Sequence, residues 1–98
     1  MPDSNDSVND GFDLLEYPCR YAFKAMCQVS AIDGDAGSFV SQLVLQHLPA
    51  AAVHGVSSNL SRTGKFESIT ITVTLSSRSE LEQVYQALAD SKPVKMTL

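Results

Sequence analysis

The stretch Glu16-Tyr17-Pro18-Cys19-Arg20-Tyr21-Ala22-Phe23-Lys24-Ala25-Met26 decides how the rest of the chain is interpreted. It starts at a proline, which suits the beginning of a strand, and then carries apolar residues at alternate positions. This period of two predicts a first strand over residues 19–29. One face of that strand would carry Tyr21, Phe23, Ala25, Cys27 and Val29. The other face would carry Arg20, Ala22, Lys24, Met26 and Gln28.

A second strand with the same period is predicted at residues 66–75. Its apolar residues are Ile69, Ile71, Val73 and Leu75. They alternate with Ser68, Thr70, Thr72 and Thr74. One face therefore packs on the core and the other stays polar, which is typical of an antiparallel sheet.

Two amphipathic segments predict helices. The first would be capped by Asp35 and run through Leu48, because Pro49 cannot continue it. The second would be capped by Ser79, with Glu82 three residues later completing a capping box. Its apolar stripe consists of Leu81, Val84, Tyr85 and Leu88.

The remaining segments complete the order β-α-β-β-α-β. Residues 50–60 suggest a short or irregular strand, residues 61–65 a loop, and residues 94–98 a last strand. This order predicts an α+β, ferredoxin-like fold, with a four-stranded antiparallel sheet and both helices on one face. The first and third strands would lie in the centre of the sheet.

Length and charge narrow the class of protein. The 98 residues suit one domain, which we place at residues 13–98, after an acidic leader at residues 1–12 that we expect to be disordered. The leader region contributes four Asp by position 13, and beyond it seven acidic residues balance seven basic ones. A neutral domain shows no electrostatic footprint for duplex nucleic acid or an anionic membrane. With no signal peptide and no spanning segment, a cytoplasmic location is expected.

The sequence resembles the small bacterial YbeD-like proteins, a family of unknown function. The resemblance lies first in Leu15-Glu16-Tyr17-Pro18-Cys19, followed by Tyr21, Phe23, Lys24 and Met26. It continues through Ser61 to Gly64, Phe66 to Ile71, the helix with Leu81, Val84 and Tyr85, and the ending Val94 to Met96. The resemblance implies a ferredoxin-like fold close to ACT regulatory domains, and it carries over no catalytic residues.

Two places are candidates for binding. Arg20 and Lys24 should share the polar sheet face with Thr70 and Thr72, a group that suits an anion or a carboxylate of a partner. Solvated cross-strand contacts explain the same group equally well. The turn around Asp35 and Gly37 is similar to a degraded ACT ligand loop, although a simple capped turn also accounts for it.

Groups that carry chemistry are sparse. Cys19 would be reactive only beside a group that stabilises its thiolate, and otherwise it is a small apolar residue near the sheet edge. His47 and His54 have no further ligands at metal spacing. We therefore predict no catalytic residues, no metal and no cofactor.

The preferred hypothesis is a non-enzymatic regulatory or interaction module that binds a protein partner or a small ligand and forms a homodimer. One alternative is an acylphosphatase-like enzyme, but residues 30–38 contain no Arg for a phosphate cradle. The other is a single-stranded RNA binder, which needs aromatic residues on the open face of both central strands. The predicted register instead turns Tyr21 and Phe23 inward.

Overall fold

A computed structural model describes residues 15–97 of the chain, and the leader expected at residues 1–12 lies outside this range. The strands are β1 (Cys19–Gln28), β2 (Val53–Leu60), β3 (Phe66–Leu75) and β4 (Val94–Thr97). The helices are α1 (Ala36–Leu45) and α2 (Arg78–Asp90). Short 3-10 turns lie at Val29–Ala31 and Ala50–Ala52.

The four strands form one antiparallel sheet in the order β2-β3-β1-β4. The predicted ferredoxin-like topology is therefore confirmed, with β1 and β3 in the centre. These two strands pair along their full length, with Cys19 opposite Leu75 and Gln28 opposite Phe66. Both helices pack on the side of the sheet that holds the apolar residues of β1 and β3.

The core lies between that side of the sheet and the helices. Its strand residues are Phe23, Ala25, Cys27, Ile69, Ile71, Val73, Leu75 and Val94. From the helical layer it receives Ala36, Val40, Val44, Leu48, Leu81, Val84 and Leu88. The predicted alternation of β1 and β3 is confirmed, since every fully buried residue of these strands is one that the period of two assigned to the core.

The start of α2 corrects one prediction. Ser77, not Ser79, is the N-cap: its Oγ accepts a hydrogen bond from the Glu80 amide at 3.2 Å. The Glu80 carboxylate accepts from the Ser76 amide at 2.7 Å, so Glu80 reaches back to the residue before the N-cap and the pair forms a variant of the capping box. The sequence holds two overlapping Ser-x-x-Glu frames, and the earlier one is used because β3 ends at Leu75, immediately before it.

The end of α1 also differs from the prediction. Its regular part ends at Leu45, three residues before the expected Leu48. After Leu45 the chain forms a hydrogen bond of the 3-10 type: the His47 amide donates to the Val44 carbonyl, three residues earlier, at 3.0 Å. Leu48 is buried although it lies beyond the helix. Its apolar side chain therefore extended the predicted helix past the residue where the helix ends.

Within the weakly patterned segment at residues 50–60, Val53–Leu60 forms an eight-residue strand at the edge of the sheet, after the 3-10 turn at Ala50–Ala52. β2 pairs with β3 from Leu60 opposite Glu67 to Val53 opposite Val73, with an irregularity between Val53 and Gly55. Neither helix in the described residues approaches the length needed to cross a bilayer, since the longer one, α2, has 13 residues.

Candidate binding surface

Within residues 15–97 both helices lie on one side of the sheet, and we call the opposite side, which no helix of this range covers, the open face. From β1 it carries Arg20, Ala22, Lys24, Met26 and Gln28. From β3 it carries Phe66, Ser68, Thr70, Thr72 and Thr74. From β2 it carries Ser57 and Asn59, which lie opposite Thr70 and Ser68.

The register brings the predicted site residues Lys24 and Thr70 together. These two residues are directly opposite each other, whereas Thr72 lies opposite Ala22, and Arg20 lies opposite Thr74. Arg20 and Lys24 are four residue steps apart, which places their Cα atoms about 13 Å from each other along β1. The open face thus holds two spaced cations beside a continuous row of hydroxyl groups on β3.

The hydroxyl row is also tied to the edge of the sheet. His54 Nε2 lies 2.6 Å from Thr74 Oγ1, which joins the start of β2 to β3 beside Arg20. The sequence did not identify His54, Ser57 or Asn59 as part of this surface. The apolar residues of the segment 50–60 alternate too weakly to predict which side of the sheet each side chain faces.

No side chain of the open face, as defined by these strand residues, is Asp or Glu. The helical layer carries more negative than positive charge: α1 has no charged residue, and α2 has three carboxylates and one Arg. That Arg, Arg78, is paired with Glu82 at 2.8 Å. A domain that is neutral from residue 14 onward therefore has cations on its sheet and carboxylates on its second helix.

One end of the open face is apolar. Met26 lies opposite Met96 of β4, and Met96 is half exposed. Phe66 is the only aromatic residue of the open face among the described strand residues. Tyr21 and Phe23 are on the helix side, where their rings meet edge to face with centroids 4.8 Å apart. Burial, and then the neighbouring Tyr85, raises the pKa of Tyr21.

The second predicted place, around Asp35 and Gly37, lies on the other side of the sheet. Asp35 is the N-cap of α1, and its Oδ2 accepts from the Ser38 amide at 2.8 Å. A groove of about 440 Å³ separates this helix start from β2. Its lining consists of Asp35, Gly37, Ser38, Ser41, Gln42, Val56, Ser57 and Ser58. The structure therefore divides the predicted site residues between two separate surfaces.

The cysteines and histidines show no cluster. Cys19 is partly buried at the start of β1, and Cys27 is buried at its other end. Within residues 15–97 no three His, Cys, Asp or Glu side chains come close enough to hold a metal ion. Burial, and then the nearby Glu67, raises the pKa of the Cys27 thiol, which disfavours its reactive thiolate form.

Comparisons with solved structures support the fold. The solution structure of protein HP0495 from H. pylori superposes with a TM-score of 0.67 at 20% identity, covering 86% of this chain and 85% of that one. The C-terminal domain of the MgtC protein from Mycobacterium tuberculosis has a TM-score of 0.64 at 12% identity, with coverage of 86% and 88%. At such identities the likeness concerns the fold alone.

Sequence comparisons show the family. A UPF0250 protein of Shewanella amazonensis is 35% identical over 92 residues, covering 93% of this chain and 99% of the relative. A UPF0250 protein of Chromobacterium violaceum is 33% identical over 86 residues, covering 88% and 93%. The family model described as "Protein of unknown function (DUF493)" matches residues 13–98. The chain thus belongs to the DUF493 family, the small bacterial UPF0250 proteins that the YbeD-like sequence pattern indicated.

Proposed function

We propose that this domain is a non-enzymatic interaction module of the cytoplasm that binds an acidic segment of a partner protein on its open face. The observation that carries the proposal is the charge of that face: Arg20 and Lys24 lie beside the hydroxyl row of β3, and the described strand residues of the face include no carboxylate. An acidic segment would supply the missing negative charge, and the hydroxyl groups would donate further hydrogen bonds to its carboxylates.

The shape of the face supports a protein segment over a small substrate. Small-molecule sites are concave and enclose most of the ligand, whereas a sheet surface is shallow. Catalysis would also need a nucleophile within hydrogen-bond reach of a base. Among the described residues, His54 Nε2 lies 2.6 Å from the Thr74 hydroxyl, and this exposed contact at the sheet edge is not a lining contact of any of the larger grooves.

The alternatives fit less well. Single-stranded RNA binding uses stacked aromatic rings on the central strands, and Phe66 at the start of β3 offers one ring. A small ligand at the Asp35 groove would meet a carboxylate that already caps the helix. That carboxylate disfavours the anionic ligands that a helix start otherwise attracts.

The test is a titration of the isotopically labelled full chain with an oligoglutamate peptide, followed by NMR. Chemical-shift changes are expected at Arg20, Lys24, Thr70 and Thr72, and they should weaken as salt screens the charges. The double variant Arg20→Glu with Lys24→Glu should lose the binding and remain folded, because both residues are exposed.

A matched control is the double variant Arg62→Glu with Lys65→Glu, which makes the same charge change in the exposed β2–β3 loop. It should keep the binding. The wild type and the two double variants can also be used as bait in a bacterial lysate. The wild type and the loop variant should capture the same proteins, and the variant at Arg20 and Lys24 should lose them. If neither peptide binding nor capture responds to the change at Arg20 and Lys24, the proposal is wrong. Shifts produced by free amino acids around residues 35–42 would favour the small-ligand alternative.

A further inference from the structure

The two edges of the sheet differ in how they are protected. Strand β4 is four residues long, contains Lys95 and follows Pro93, and such features discourage pairing with another strand. Strand β2 has eight residues, Val53–Leu60, without Lys, Arg, Asp, Glu or Pro. Among the described residues, the feature that interrupts this edge is the irregularity between Val53 and Gly55, and the strand from Gly55 to Leu60 is regularly paired and uncharged.

The hydrogen bonds show which residues of β2 point outward. The Ser61 amide donates to the Phe66 carbonyl at 2.8 Å, so the residue after β2 points its backbone groups toward β3. The direction of the backbone N–H and C=O groups alternates from residue to residue along an antiparallel strand. The backbone groups of Asn59 and Ser57 therefore also point toward β3. The backbone groups of the intervening residues Val56, Ser58 and Leu60 therefore point away from the sheet.

The side chains of these outward-pointing residues lie on the helix side, where the start of α1 covers them only in part: a Cβ added at Gly37 would lie 3.7 Å from Val56 Cγ1. Val56 is opposite Ile71 and Ser58 is opposite Ile69, both core residues. Yet Val56 is 44% exposed and Leu60 is 58% exposed. Two apolar side chains thus flank Ser58 symmetrically, two residues away on either side.

We propose that β2 pairs antiparallel with β2 of a second copy of this chain, about a two-fold axis at Ser58. In this register Ser58 faces Ser58 of the partner subunit, and Val56 faces Leu60 of the partner subunit. All three outward-pointing residues then form hydrogen-bonded pairs, and the exposed valine and leucine become cross-strand partners. With the axis at position 57, Leu60 would have no apolar partner in the regular part of the strand. With the axis at position 59, Val56 would have none.

A second copy suits this edge better than a strand of another protein. At a two-fold axis each residue near the centre meets itself or a close neighbour, so a charge there would face its own like charge. The strand from Val53 to Leu60 has no Asp, Glu, Lys or Arg, and its two exposed apolar residues, Val56 and Leu60, are equidistant from the proposed axis. The pairing makes one eight-stranded sheet and is independent of binding on the open face.

The test exploits the self-contact of position 58. Sedimentation velocity of the full chain should show a dimer for the wild type and monomers for Ser58→Glu and for Ser58→Lys, because like charges then meet at the axis. A one-to-one mixture of the two variants should regain the dimer, since opposite charges meet instead. Recovery in the mixture also shows that both variants are folded.

Met96→Glu is the matched control, because it adds the same charge on β4 at the other edge and should remain dimeric. Circular dichroism checks that each variant keeps its fold. The proposal is overturned if the wild type is monomeric up to about 1 mM. It is equally overturned if both charged variants at position 58 stay dimeric, or if their mixture stays monomeric.

Discussion

Asp35 and Ser38 are joined across the first turn of α1: the carboxylate Oδ2 of Asp35 accepts a hydrogen bond from the Ser38 amide, with 2.8 Å between the two atoms. A Cβ atom added at Gly37 would lie 3.1 Å from the same oxygen, so the carboxylate fits closely over the turn. The start of the helix, where unpaired amides favour negative charge, is thus occupied by the protein's own carboxylate.

This contact predicts a loss of stability on removal of the carboxylate. Asp35→Ala should lower the free energy of unfolding by about 1 kcal/mol, the usual cost of losing an N-cap. Ser38→Ala is the control, because it removes an exposed hydroxyl and keeps the amide that donates the bond. Urea unfolding measures both variants. Equal stabilities would contradict the assignment of the cap.

The start of α2 allows a similar comparison between two serines. Ser77→Ala should cost about 1 kcal/mol, because the Ser77 hydroxyl accepts from the Glu80 amide. Ser79→Ala should cost less, since its hydroxyl contacts only the exposed Gln83 side chain among the hydrogen bonds of the described residues. Thermal unfolding of the two variants distinguishes the caps. The reverse ranking would favour the later capping frame.

The register of β3 is tested by placing one carboxylate on each of its faces. Ile71 is fully buried, so Ile71→Asp would bury an unpaired charge and should unfold the domain. Thr72 lies on the open face opposite Ala22, so Thr72→Asp should fold. Circular dichroism reads out both. Two variants that fold equally well would show that the register is wrong.

Cys27 predicts a dependence of stability on alkaline pH. Burial raises the pKa of its thiol in the folded state, so the unfolded chain releases this proton at a lower pH than the folded chain does. The protonated thiol of Cys27 therefore contributes its full share to the unfolding free energy below the ordinary thiol pKa. This share is lost as the pH rises through the raised pKa of the folded state. The unfolding free energy of Cys27→Ala should therefore decline less between neutral and alkaline pH than that of the wild type. Parallel declines would contradict this expectation.

Much of the fold could be predicted because its central elements repeat a local pattern. Ile69, Ile71 and Val73 alternate with threonines, and a strand between two layers requires that period whatever its neighbours are. The stripe of α2 was equally clear, since Leu81, Val84 and Leu88 recur at helical spacing and are all buried. The strand β2 lacked such a signal because it lies at the edge and buries none of its side chains fully.

For this protein the sequence by itself determined the order of elements, the two central strands, their core faces and the positions of Arg20 and Lys24 on the polar side. Only the tertiary structure decided that Lys24 faces Thr70, that Ser77 caps α2, and that β2 is an uncharged edge whose residues Val56, Ser58 and Leu60 point outward. The physical reason is that periodicity depends on neighbours along the chain. Register, choice of cap and edge position depend instead on which distant segments meet, and contacts between distant segments leave no local period.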